Sequence, residues 1–406
     1  MTNFGDYQAP EEINRWRTFA LGIGGILSII ILGIAVIFPE SREQALRSWL
    51  LGFIFWGGIG IGCLGVLILQ YLTGGAWGVV TRRILEAGSR TIPILFLLFF
   101  PIMFGVTFLY EWTHLDDKIV QWRQPYLSAQ WFIIRAVLYF LLWYLMAYFL
   151  NKWSAQQDAA NNYDEAAKPL ADAGKFSGPA LVFFVLVVSF AAIDWVMTLD
   201  PHWFSTMFGF LFVAGWGLSC FCFVVAILAV LADKPPLNRI IGSRHFHDLG
   251  KLMLALVMVW AYFNFSQFLI IWSGNIPEET PWYLDRAKGG WGIVGLILIL
   301  FHFAFPFVVL LSRDVKIRAK WLATLAIFIL VLRLVDMYYL IAPNPRISTH
   351  GKSLGLIAGF SWMDIVAPLA VGGIWLWFFF GELMKRPLVP INDPYLDNAI
   401  KHGKGH

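Results

Sequence analysis

Asp194 stands inside the apolar run FFVLVVSFAAIDWVMTLDPHWFSTMFGF, Phe183 to Phe210, which closes on Leu199-Asp200-Pro201-His202-Trp203. A bare carboxylate in hydrocarbon costs about 2.5–3.5 kcal/mol on insertion scales. Such a group is kept when it is neutral, paired or facing a wet cavity, and each of these settings suits proton transfer. Arg135, His302, Arg333 and Asp336 are further ionisable residues inside apolar runs. Arg333 and Asp336 are three apart, so they share a helix face and partly neutralise each other. Asp194 has no basic residue on its own run, and Arg135 on the preceding run is its natural partner. Thr198, four residues on, lies on the Asp194 face as a hydrogen-bonding group. Glu111 and Asp364 stand nearer the ends of their runs and read equally well as interfacial side chains that snorkel to headgroups.

These residues need apolar elements to position them. The chain is 59% hydrophobic and 14% charged, with 20 Trp and 36 Phe; a soluble domain carries about a quarter charged residues. The sequence predicts an all-α integral membrane protein. About 20 helical residues cross the hydrocarbon core, and ten segments qualify: 16–38, 49–73, 92–112, 129–151, 179–199, 206–232, 247–273, 289–312, 319–341 and 361–384. A β-barrel would show alternation instead. Asp6, Glu11 and Glu12 precede the first span where a cleavable signal would be basic, so that span is expected to be retained.

Loop charge sets the expected orientation. One set of alternate loops, with both tails, holds 20 Lys and Arg, and the other set holds 8. The positive-inside rule then places both termini in the cytoplasm. Asp194, Arg135, Arg333, Asp336, Glu111 and Asp364 all fall in the outer half, and Asn264 and Gln267 fall in the middle-to-outer part of span 7. His302 is the deepest ionisable group. As a lone histidine it reads first as a satisfied buried residue and second as a relay. The inner half offers mainly hydroxyls such as Tyr144 and Thr324.

Spans 5 and 9 resemble each other. Asp194 precedes Pro201 by seven residues, and Asp336 precedes Pro343 by seven. This spacing suggests two four-helix bundles, spans 2–5 (residues 49–199) and 6–9 (206–341), as parallel repeats. Spans 1 and 10 flank them. Gly58 and Gly62 permit close helix contact in span 2. Cys63, Cys220 and Cys222 lie in apolar runs and read as small packing residues. No haem or iron–sulfur ligand set is expected, and no metal site. His245, His247 and the tail histidines His402 and His406 are expected to be solvated. The net charge of +4 belongs to the loops and gives no reason to expect a nucleic acid partner.

Two segments carry a family likeness. DWVMTLDPHWFSTMFG (194–209) resembles the quinol-interacting membrane subunits of bacterial alternative complex III, which belong to the NrfD (polysulfide-reductase) membrane-subunit family. RHFHDLGKLMLALVMVWAYFNFSQFLIIWSGNIPEETPWYLDR (244–286) is similar to the ten-span ActF-type subunits in particular. The resemblance implies a subunit without redox centres in a quinol:cytochrome c oxidoreductase of the bacterial inner membrane. It implies as partners a paralogous NrfD-like subunit, an iron–sulfur protein, c-type cytochromes, membrane lipids and, as a further candidate, a terminal oxidase. The substrate would be a quinone such as menaquinone, oxidised from its quinol at the outer face.

Under this reading Asp194, Asp336, Arg333, Arg135, His302 and Thr198 are the candidates for a proton path. Asp200, His202, Trp203, Asn264 and Gln267 are candidates for the quinone environment. Two alternatives stay open: a scaffold subunit without its own quinone site, and a secondary transporter with unwound helices near the midplane.

Overall fold

The computed structural model describes residues 8–404. Among the described residues the chain is all-helical apart from one isolated bridge, Arg346 to Lys352. The helices that matter here are α1 (Glu12–Ile37), α2 (Arg42–Thr73), α3 (Ala76–Ser89), α4 (Ile92–Phe104), α5 (Ala129–Asp158), α6 (Tyr163–Trp195) and α7 (Phe208–Ala232). They continue with α8 (Ser243–Gly274), α9 (Pro281–Ala287), α10 (Trp291–Leu311), α11 (Ala319–Ile341), α12 (Met363–Met384) and α13 (Leu396–Lys404). Nine of them are long and apolar enough to cross a membrane, and α3 with α4 forms a further pair bent by 41°.

The expected span 92–112 is the one that differs most. Its regular part, α4, stops at Phe104, and a separate short turn covers Val106–Leu109. Pro101 cannot donate a backbone hydrogen bond, and the next turn ends at Gly105. The charged stretch before it, expected as a loop, is the buried helix α3.

α2 is the axis of the molecule. It packs on α3, α4 and α6 to one side, on α7 and α11 to another, and on α12, which in turn carries α1. α5 lies on α4 and α6; α7, α8, α10 and α11 pack on one another around the second site. Glycine makes the central contact close. A Cβ on Gly58 would lie 2.2 Å from the Trp216 ring, and one on Gly62 would lie 2.6 Å from the Trp216 carbonyl. Small residues of this kind let membrane helices gain dispersion contacts that lipid cannot supply. Outward faces of α1, α8 and α10 carry Phe19, Ile26, Tyr262, Phe265, Ile293 and Ile299, all exposed as lipid-facing side chains would be.

Within α10, residues Leu298–Ala304 form a π-helical turn. Pro306 has no N–H to give the His302 carbonyl, and its ring crowds that group. The helix widens just there, as π-turns do where the ladder is disturbed.

Candidate functional site

The run that carries Asp194 stays helical to Trp195 and then tightens into a 3-10 turn, Met197–Leu199. Thr198 stabilises this ending. Its hydroxyl donates to the Asp194 main-chain carbonyl at 2.6 Å, so it does not serve the carboxylate. The carboxylate itself is buried and takes three donors: Arg135 Nε at 2.7 Å, Arg135 Nη2 at 3.1 Å and the Tyr139 hydroxyl at 2.8 Å. This is a two-pronged guanidinium–carboxylate pair, the geometry that only arginine supplies. Arg135 also donates to the Tyr126 carbonyl at 3.0 Å, and its guanidinium lies 3.8 Å from the centre of the Tyr126 ring. Below the pair, Trp195 packs edge-on and face-on among Phe53, Phe99, Phe140 and Trp143, an aromatic floor.

The second pair is built differently. Arg333 and Asp336 meet across one turn of α11, and the Trp260 indole N–H donates to Asp336 Oδ2 at 3.2 Å. Arg333 Nε donates to Ser219 at 3.3 Å. Gly215 makes room for the guanidinium, since a Cβ there would lie 2.2 Å from Arg333 Nη2. His302 joins the group, its ring centre 4.0 Å from that of Trp260. It is fully buried, yet neither ring nitrogen bonds to any described part of the chain, and Arg333 Nη2 is likewise unmatched. A lone position suggested a satisfied buried histidine; no group of the described chain supplies His302 with a hydrogen bond. Trp260 and His302 each lie near the middle of their helices.

The remaining candidates gather at the end of the molecule where α6 gives way to α7. Asp200 accepts from the His202 backbone N–H at 3.2 Å, the His202 ring meets Asp117 at 2.6 Å, and Arg123 donates to the Pro201 carbonyl at 2.6 Å. Trp203 stacks on Trp282 with ring centres 4.6 Å apart and donates to the Glu279 carbonyl at 3.1 Å. Arg286 lies over the other tryptophan, 3.5 Å from the Trp282 ring centre, and donates to Asn344 at 2.9 Å. Burial raises the Asp200 carboxyl above the ordinary carboxylate range and pushes the Arg286 guanidinium down to about 9. Gln267 bridges Ser205 (2.9 Å) and the Tyr283 hydroxyl (3.3 Å). Beside it is a cavity of about 460 Å³ lined by Phe268, Ile271, Trp272, Asn275, Thr280, Tyr283 and Leu284. Asn264 is not part of this group: its amide donates to the Trp260 carbonyl at 2.9 Å.

Sequence reasoning missed a third constellation at the opposite end, where mainly hydroxyls were expected. On α3, Arg83 pairs with Glu86 at 2.8 Å and with Asp158, Ser154 donates to Glu86 at 2.6 Å, and Arg82 meets Asp393 at 2.5 Å. Arg90 binds Glu382 at 2.9 Å and Asn151 at 2.8 Å, and Arg386 reaches Glu86 at 3.3 Å. The i to i+3 and i to i+4 spacing of Arg83, Glu86 and Arg90 was the available signal. The histidines near this end are also engaged: His245 is buried, and the His402 ring meets Asp248 at 2.7 Å. His406 lies outside the described residues. Cys63 and Cys220 are in contact, sulfur to sulfur 3.6 Å, and remain free thiols.

Tyr139, Tyr126, Trp260 and Ser219 were not singled out from the sequence. Tyr139 stands four residues from Arg135, so its place on the same helix face was the readable sign. In comparisons with known proteins, no family model matches the chain and no curated protein matches it.

Proposed function

We propose that this chain is an NrfD-like membrane subunit of a bacterial quinol:cytochrome c oxidoreductase, and that it serves quinol oxidation and proton transfer at its outer end. The observation that carries the reading is the buried Asp194–Arg135–Tyr139 group, a titratable carboxylate held inside apolar helices just below the Asp200–Trp203 loop. Oxidation of a quinol to a quinone releases two protons and two electrons. The electrons would pass to the iron–sulfur and c-haem subunits, and a positioned carboxylate accepts protons with a typical gain of about 10²–10⁴. Asp194 would be the nearer acceptor and Asp336 the deeper one, each oriented by its arginine, Arg135 or Arg333. The aromatic cavity beside Gln267 suits a quinone head, since Phe268, Trp272 and Tyr283 offer ring faces while Asn275 and Thr280 offer polar edges.

The topology fits this role if α3 and α4 count as one broken span. The chain then crosses ten times in the inner membrane with both termini cytoplasmic. α2 to α6 would form one bundle and α7, α8, α10 and α11 the other, with Asp194 and Asp336 in corresponding helices. A cysteine at the exposed Thr206 should then react with an impermeant thiol reagent from the periplasmic side.

The break between α3 and α4 is the feature that favours a secondary transporter. Its backbone, however, is internally bonded, Arg90 N–H to the Glu86 carbonyl at 3.0 Å and Thr91 N–H to the Gly88 carbonyl at 3.1 Å. It therefore presents no unwound polar backbone to a solute. Purification in mild detergent separates the readings. Copurification with a second multi-span subunit, an iron–sulfur protein and c-type cytochromes is the expected result. Recovery of the chain alone with a bound solute would overturn it in favour of transport.

A further inference from the structure

At the end of the molecule where α1 begins and α12 finishes, α4, α5 and α12 leave a crevice between them of about 450 Å³. Its two ends differ. The wall toward the middle of the helices is apolar, made by Pro93, Tyr144, Ala147, Tyr148 and Phe378, and both tyrosines are exposed. The mouth holds Arg90, Lys152 and Arg386 with one carboxylate, Glu382.

The charges at the mouth do not cancel. Glu382 is already engaged by Arg90 at 2.9 Å and by Lys385. Arg386 leans on Glu86 at 3.3 Å, which Arg83 also holds, and Arg83 is shared with Asp158. Five cations (Arg83, Arg90, Lys152, Lys385, Arg386) thus face three carboxylates (Glu86, Asp158, Glu382), and two positive charges are left over. Lys152 is exposed, and no carboxylate pairs with it among the described residues. Arginine is held in place by the network, while lysine at the rim is free to turn toward a ligand.

We infer that this crevice binds an anionic phospholipid, its phosphate at Lys152 and Arg386 and an acyl chain along Tyr148, Tyr144 and Phe378. A basic mouth opening onto an apolar, lipid-facing groove matches both halves of such a molecule, and basic pockets between helices on the cytoplasmic side are a recurrent setting for anionic headgroups. A soluble phosphate would use the cations and leave the groove without a function. The inference rests on the membrane character of the helices and on the orientation proposed above, and is independent of the quinol reading.

The test uses the full chain with the subunits that accompany it, stripped of lipid in mild detergent. It is titrated with phosphatidylglycerol, with phosphatidylcholine and with inorganic phosphate, and binding is read by native mass spectrometry alongside the thermal unfolding midpoint. Phosphatidylglycerol should bind in preference to phosphatidylcholine and raise the midpoint. Lys152→Gln should weaken phosphatidylglycerol roughly fivefold, the size expected for one basic residue near an anionic surface, and leave phosphatidylcholine unchanged. Lys152→Arg should restore the preference. Because Lys152 is exposed, the Gln variant should fold normally, so a null result is informative. Equal binding of the two lipids, or an indifferent Lys152→Gln, would overturn the inference. Displacement of phosphatidylglycerol by millimolar inorganic phosphate would reassign the cations to a soluble anion.

Discussion

The Asp194 and Asp336 groups use the same three parts and assemble them to opposite ends. Each has a carboxylate, a guanidinium and a ring-bearing donor, Tyr139 in one and Trp260 in the other. In the Asp194 group the arginine comes from a neighbouring helix, grips the carboxylate with two nitrogens, and reaches partly exposed surroundings past Tyr126. In the Asp336 group the arginine comes from the same helix, one turn away, and the whole set is sealed among α7, α8, α10 and α11. In the first, the Asp194, Arg135 and Tyr139 side chains are all matched, while the Tyr126 hydroxyl and the Trp143 and Trp195 indole N–H groups beside them have no partner in the described chain. The second leaves Arg333 Nη2 and both nitrogens of His302 without partners in the described chain. Buried polar groups are almost always paired, because an unmatched one costs roughly 1–3 kcal/mol. The comparison therefore separates a carboxylate clamped from a neighbouring helix by a partly exposed arginine from one paired within its own helix and sealed on every side.

The largest effect expected from that contrast is on stability when an arginine is lost. Removing one member of a buried pair costs about 3–5 kcal/mol, because the other is stranded. Arg333→Leu should reach that range, since Asp336 would keep only the Trp260 N–H. Arg135→Leu should cost less, because Arg135 is itself partly exposed, so its loss opens Asp194 to solvent, and Asp194 keeps the Tyr139 hydroxyl. Thermal unfolding of the purified variants orders them, and a greater loss for Arg135→Leu would invert the comparison.

Next in size is the effect on turnover. Asp194→Asn and Asp336→Asn keep shape and remove the titratable group. If both serve proton transfer, assembly survives while quinol turnover falls tenfold or more and its pH profile moves. Silence of both variants in an intact complex would leave the chain a scaffold. Loss in only one would say which group lies on the path.

A smaller effect comes from the glycine that admits Arg333. Gly215→Ala puts a methyl where the guanidinium lies, 2.2 Å from Nη2. Overpacking of this kind costs about 1–3 kcal/mol. The double variant Gly215→Ala with Arg333→Leu should lose less than the sum, because the second change removes the clash. Strict additivity in thermal unfolding would show that the methyl is harmful for another reason.

What the sequence could reveal follows from the same physics. The apolar runs located the membrane helices because twenty consecutive apolar residues have few other fates. The Asp194–Arg135 pair was legible because an aspartate in such a run requires a partner and its neighbouring span holds one basic residue. Arg333–Asp336 was legible from a spacing of three. α3 was not, because Arg82, Arg83, Glu86 and Arg90 read as a charged loop. Their partners Glu382, Arg386 and Asp393 lie roughly three hundred residues further along the chain, and only the fold shows the pairing. That no group of the described chain bonds to His302 was invisible for a related reason. The lack of a partner depends on every helix packed around it, and no local pattern encodes that.

The smallest expected effect is also the sharpest test of the contrast. Tyr139→Phe deletes one donor from a matched group and should destabilise by about 1 kcal/mol, the net worth of one hydrogen bond. His302→Phe deletes a polar ring that bonds to nothing in the described chain and replaces it with one that suits the neighbouring Trp260 face. It should be neutral or slightly stabilising. Unfolding midpoints of the two variants in the same detergent decide the matter. A loss in His302→Phe as large as that in Tyr139→Phe would mean that the imidazole has bonding partners of its own, and the contrast with the matched Asp194–Arg135–Tyr139 trio would then narrow to Arg333 Nη2.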